Sequence, residues 1–344
     1  MNHAITLVSR ATILVALLAS FCASQSRAQD RAESDRPVTI ALTGVAVVDV
    51  VHGQLVGPRT VLIADGRIAA IGEPDATDVP TEAVRVDGSG RYLMPGLVDM
   101  HVHLFNNTSR RPPNDWAFPL FVANGVTAVR EMRSEPAGIS QIATWRAAVN
   151  RGELVAPYVL AAGMSVRGDS VDAARREVRE AKSAGADFIK VFSDVPRTHW
   201  RAIIEQAHAL ALPVCGHIPA EVSLREAAAA RQASNEHLTQ VYEACSAPEK
   251  QSGAQPDGPD ATNGSRVRDR EDAVLQSFDQ RVCDEAAAAL ARTVQVQVPT
   301  LVLADSEARA PRFGFSDDPR WRCLRADEQV RWERLLNERS PRMK

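Results

Sequence analysis

The sequence is poor in the features that mark nucleic-acid binders, dinucleotide enzymes and membrane proteins. Its 40 Lys and Arg stand against 43 Asp and Glu, for a net charge of -3. No long basic stripe or aromatic-interleaved basic patch breaks that balance, so it carries no electrostatic footprint for nucleic acid. No Gly-x-Gly-x-x-Gly turn follows any strand-like run, which removes the usual start of a dinucleotide fold. The apolar run over 11–21 is too short to span a bilayer. Five cysteines in 344 residues are too few for a disulfide scaffold, and with aromatics at 5% the core must be mainly aliphatic. A soluble globular protein of more than one domain, acting on a small molecule, fits these bounds.

Arg10 precedes the run over 11–21, and Ser26-Arg27-Ala28 places small residues at the cleavage positions of a signal peptide. Cleavage is expected after Ala28, with a periplasmic or secreted product and no stable membrane insertion afterwards. Cys22 raises a lipoprotein alternative, against which the bulky Phe21 stands. Export makes Cys215, Cys245, Cys283 and Cys323 candidates for disulfides. Cys245 and Cys283 bracket a stretch rich in Gly, Pro, Asp and Ser over 246–270, which reads as a loop insertion, and a bond between them would close it.

The chain divides on pattern into the signal peptide, a small β domain over 29–94 and a larger domain over 95–344. In the β domain, strands are predicted at 39–50, 59–63, 67–71 and 83–86, with Asp65-Gly66 as a hairpin turn and His52 as a loop residue. Beyond residue 95 strands and helices alternate. Strands are predicted at 125–132, 158–162, 187–193, 212–218, 234–238 and 294–303, and helices at 139–150, 171–184, 198–211 and 223–231. Repeated βα units imply a parallel sheet covered by helices, and seven strands without a dinucleotide turn favour an α/β, TIM-type (β/α)8 barrel.

The stretch that organises this domain is Met94-Pro95-Gly96-Leu97-Val98-Asp99-Met100-His101-Val102-His103-Leu104. Pro-Gly opens a short apolar strand whose end carries two histidines on one face, the i and i+2 spacing at which both reach one metal ion. Lys190, His217 and His237 then stand at or near the ends of later strands, the face where barrel enzymes build their sites. His3, His52, His199 and His208 do not share that placement.

His101-x-His103 after Pro-Gly-Leu-x-Asp, Lys190 in Phe-Ile-Lys-Val, His217 in Cys-Gly-His and His237 in Asn-Glu-His-Leu together resemble the amidohydrolase superfamily, in its imidazolonepropionase-like and prolidase-like branch. The resemblance covers nearly all of the chain after the signal peptide. It implies that His101 and His103 hold one divalent ion and His217 and His237 another, with zinc first in expectation. Lys190 would bridge the two as a carbamate. It implies a small β-sandwich to which both ends of the chain contribute, and hydrolysis of the C–N bond of an amide, short peptide or cyclic amide. Association into a homo-oligomer stays open.

The family also places an acid/base aspartate at the end of strand 8, and here the pattern departs. After the strand over 294–303 the residues read as a helix at 327–337, and no strand-like run with an aspartate precedes Lys344. The barrel is therefore expected to stop after strand 7, without the strand 8 aspartate. Asp305 lies just past strand 7, among neighbours that match that strand and not strand 8. Two further readings stand beside the hydrolase: a family member that binds metal without turnover, and a one-metal deaminase of the same fold in which Lys190 is dispensable.

Overall fold

The computed structural model describes residues 39–74, 76–105, 113–246, 274, 276–303, 305 and 318–339, with side chains given as far as residue 334. The expected signal peptide and nearly all of the insertion over 246–270 lie outside them. The chain falls into two compact units, Met1–Pro95 and Gly96–Lys344.

The described residues of the first unit form one five-stranded sheet. β1 (Ile40–Asp49), β2 (Gln54–Ala64), β3 (Arg67–Gly72) and β4 (Val84–Asp87) lie in the order β3-β2-β1-β4, and β5 (Tyr92–Leu93) pairs with β1. β1, β2 and β3 are antiparallel neighbours, whereas β4 and β5 run parallel to β1. Asp65 and Gly66 turn β2 into β3 with both φ angles positive (52° and 68°), the geometry a two-residue hairpin demands. Ala41, Val45 and Val61 are buried in this sheet. β2 is longer than its apolar pattern predicts, because it runs through Gly57-Pro58, residues that read as a break.

The second unit carries the parallel sheet. β6 (Leu97–Val102), β7 (Val126–Ser134), β8 (Tyr158–Ser165), β9 (Phe188–Val191) and β10 (Val214–Gly216) stand side by side in chain order, and every pair is parallel. Helices Phe118–Ala123, Pro136–Asn150, Val171–Ala184 and Arg197–Ala209 connect them in turn. This is an α/β fold whose sheet forms a curled parallel half-barrel. β11 (Ser234–Glu236) and β12 (Val296–Val298) form a separate parallel pair, reached through helix Leu224–Ala229. The Ala233 N–H donates to Val214 O at 2.6 Å and ties the start of β11 to β10.

Burial explains why these strands read as apolar runs. Every residue of β9 is buried, as a strand covered on both faces must be. Val129, Val159, Ile189 and Val214 pack in one core with Ile142, Val178 and Ile203 of the helices. Each such side chain contributes about 1.5–3 kcal/mol when fully buried.

Several elements differ from expectation. The last predicted strand, 294–303, is a strand only at Val296–Val298. Pro299 has no N–H to give a ladder, Thr300 turns with φ 48°, and residues 301–303 are helical. Helices Phe118–Ala123 and Gln280–Leu290 add to the predicted set, as does a two-residue strand, β5. No strand follows β12 among the described residues; Ala326–Arg339 is the helix expected there. No helix among them is long and apolar enough to cross a membrane.

Candidate metal centre

Parallel pairing brings the ends of β6, β9, β10 and β11 to one place. His101 is the fifth residue of β6 and His103 lies just past it; their ring centroids are 5.1 Å apart. His237 follows β11 directly and sits 4.4 Å from the His101 ring, and His217 follows β10 and sits 5.1 Å from the His237 ring. Lys190, inside β9 and 1% exposed, places its ammonium 5.2 Å from the centroid of Phe192. All five predicted ligand residues thus gather in one region. His52 is instead an exposed turn residue bonded to Asp49, and His199 and His208 lie on helix Arg197–Ala209. Asp305 is exposed in a helical segment.

The backbone at these strand ends is unusual where the side chains must turn in. His237 holds φ at 60°, in the left-handed region that costs a non-glycine residue energy. Gly216 holds φ at 123°, and a Cβ there would come within 2.3 Å of Val191 O and 2.9 Å of Lys190 Cδ. Cys-Gly-His therefore has glycine because β9 and the Lys190 stem leave no room for a side chain.

Three of the four rings have Nδ1 engaged from behind. His101 Nδ1 meets Glu236 Oε2 at 2.8 Å, His217 Nδ1 meets Ser193 Oγ at 2.9 Å, and His237 Nδ1 meets Thr300 Oγ1 at 2.7 Å. The Thr300 hydroxyl donates to Pro299 O at 2.8 Å, so it accepts from His237 and leaves Nε2 of that ring with a free lone pair. Among the described residues five buried side-chain atoms have no hydrogen-bond partner, and two of them, His101 Nε2 and Lys190 Nζ, belong to this group. Orphaned donors and acceptors this deep call for an explanation, and a metal ion supplies one.

Electrostatics favour the forms that ligate. Burial, reinforced by the charge of neighbouring groups, pushes His103 and His217 down to about 3 and His237 down to about 4, so all three are neutral near pH 7. Burial also brings Lys190 down to about 8, close enough to neutrality for the free amine to be present. Burial opposes charge on Glu236, yet the hydrogen bond from His101 and the Arg130 guanidinium hold its carboxyl below the usual range. Among the described residues, as placed, no group of three or more His, Cys, Asp or Glu side chains is disposed to hold a metal ion. The fit to metal therefore rests on the gathered residue types and on the two orphaned atoms.

Sequence reasoning passed over the residues behind the ligands. Glu236 and Arg130, both buried, pair at 2.7 Å, and Glu131, fully buried, accepts from the N–H groups of Leu104 at 2.5 Å and Arg133 at 2.7 Å. Burial raises Glu131 to about 7. A signal was present for one pair: Arg130-Glu131 interrupt the apolar start of β7, and buried charges are kept only when paired; Glu236, in Ser-Asn-Glu, carried no such mark.

No family model matches the chain. A dihydroorotase from Anaeromyxobacter sp. (strain K) is 31% identical over 192 residues, covering 51% of this chain and 41% of the relative. Adenine deaminase 2 from Agrobacterium fabrum is 35% identical over 109 residues, covering 30% of this chain and 17% of the relative. Among solved structures, the bottromycin amidohydrolase superposes with a TM-score of 0.54 at 23% identity, over 88% of this chain and 65% of that one. The matched stretches thus span less than half the length of these curated relatives. The chain is thus similar in sequence, over part of its length, to a dihydroorotase and an adenine deaminase, and it shares its fold with the bottromycin amidohydrolase.

Proposed function

We propose that the chain is an exported, metal-dependent amidohydrolase that hydrolyses the C–N bond of a small amide, short peptide or cyclic amide. The observation that carries this is the gathering of His101, His103, Lys190, His217 and His237 at the strand ends, with His101 Nε2 and Lys190 Nζ buried and unpartnered. These five residues would hold two divalent ions, zinc first among them. When bound, such ions polarise a carbonyl and lower the pKa of water so that it attacks near neutral pH. Lys190 joins the set as an anion only if its neutral amine adds carbon dioxide, forming an N–C bond and releasing a proton, and its burial lowers the cost of that first deprotonation. Neutral His103, His217 and His237 present lone pairs instead of protons. Export is supported by the signal-like start of the sequence and by a bond between Cys245 and Cys283, which persists in oxidising compartments.

Elemental analysis of the purified chain, with hydrolysis assayed on an amide library, tests the reading. Two divalent ions per chain are expected, falling to one or none in Lys190→Ala. Absence of any bound metal after zinc is supplied overturns it. The likeness to adenine deaminase favours a second reading, a one-metal deaminase. A single tight ion unaffected by Lys190→Ala, with ammonia released from an aminopurine, selects it.

A further inference from the structure

Behind His101 lies a buried pair that the ligand set does not use. We infer that Glu236, held in place by Arg130, is a positioning residue for His101: it keeps the proton on Nδ1 and so presents the Nε2 lone pair to a metal ion. This rests on the metal-binding reading above.

Glu236 is fully buried at the end of β11. Its Oε1 accepts from Arg130 Nη2 at 2.7 Å and from Ser234 Oγ at 2.5 Å, and its Oε2 faces His101 Nδ1 at 2.8 Å. A carboxylate held by a guanidinium and a hydroxyl is an acceptor with no proton to give, so the proton on its second edge belongs to the imidazole. That fixes the tautomer of the neutral ring and leaves its Nε2, the buried atom without a hydrogen-bond partner, as a lone pair. Arg130 is anchored in turn. Its Nε donates to Met100 O at 2.7 Å, next to His101 in the chain, and its Nη1 reaches Ser234 Oγ at 3.3 Å. The fork thus joins β6, β7 and β11, and it sets the distance between the strand that bears His101 and the strand that precedes His237.

A buried ion pair is a poor way to gain stability, since apolar residues of the same volume fill such space at least as well. This pair has a third member, a histidine with an empty nitrogen. A carboxylate behind a ligating histidine orients the ring and raises its basicity, and losing it typically weakens metal binding by 10–100-fold.

The test uses the whole chain and zinc itself. Zinc affinity is measured by competition with a chromophoric chelator for the parent and Glu236→Gln, with far-UV circular dichroism and a urea midpoint on both. Glu236→Gln, equal in volume, is expected to stay folded and to bind zinc about 10–100-fold more weakly. Affinity within twofold of the parent overturns the inference, as does a lowered urea midpoint with unchanged affinity, which marks a strut and no more. The parent also decides without any variant. Long-range 1H–15N correlation of its histidines, with His101 assigned by loss of its signals in His101→Asn, is expected to show the Nδ1–H tautomer in the metal-free chain. The Nε2–H tautomer overturns the inference even if Glu236→Gln fails to fold. A parent that binds no zinc overturns the functional reading instead, and the tautomer still decides this one.

Discussion

The histidines of the site are legible one at a time from their neighbours, but their protonation is set by where they are buried. His103 and His217 have ordinary values near 6.5 and are pushed to about 3 by burial and nearby positive charge. Between those limits the unfolded chain binds protons that the folded chain refuses. Their contribution to stability is therefore present above pH 6.5 and is lost as pH falls toward 3. Glu131 works the other way: raised from 4.5 to about 7 by burial, it favours the folded state at low pH and loses that contribution as pH rises through 7. With His237 also lowered, to about 4, three histidines stand against one carboxyl, and the metal-free chain is expected to weaken from pH 6.5 down to pH 4. Urea midpoints in chelator at pH 4, 5, 6 and 7 check this. A midpoint that rises on acidification contradicts the burial of the neutral rings.

At the scale of the element, local sequence signals set where helices start and stop. Ser170 caps helix Val171–Ala184 by accepting from Ala173 N at 3.1 Å, and Gly185 ends it in the left-handed conformation with φ 87°. The predicted bounds of this helix coincide with the observed ones because both signals are written in the sequence. Ser170→Ala is expected to cost about 1 kcal/mol, read as a lower urea midpoint with an unchanged slope; a change below about 0.3 kcal/mol would show the cap to be idle. The strand at Val296–Val298 shows the opposite case. Its apolar pattern continues through Leu303, but Pro299 and the turn at Thr300 end the pairing, and Thr300 is then free to hold His237.

At the scale of the molecule, a covalent bond joins regions that sequence separates. Cys245 and Cys283, 38 residues apart, are bonded, as their position around the insertion suggested, while Cys215 and Cys323 are free. Cys215 lies buried in β10, where burial pushes its thiol up and makes it unreactive. Cross-linking reduces the entropy of the unfolded chain, so Cys245→Ala with Cys283→Ala is expected to destabilise the second unit by about 2–4 kcal/mol. Non-reducing peptide mapping should recover the Cys245–Cys283 peptide pair; alkylation of Cys245 in the native protein would contradict the bond.

What the sequence by itself determined is whatever depends on local pattern and residue type: the alternation of strand and helix, the i and i+2 histidines of β6, the Asp65-Gly66 turn, and the sorting of His101, His103, Lys190, His217 and His237 away from the other histidines. Periodicity and turn chemistry act over a few residues, so they survive without coordinates. Only the tertiary structure decided what stands behind the ligands. Glu236 meets His101 across 135 positions of sequence and Arg130 across 106. Thr300 meets His237 across 63, and Ser193 meets His217 across 24. Such pairs form because parallel strands bring their ends together and because a buried charge or hydroxyl must find a partner there. No local pattern encodes which partner that is.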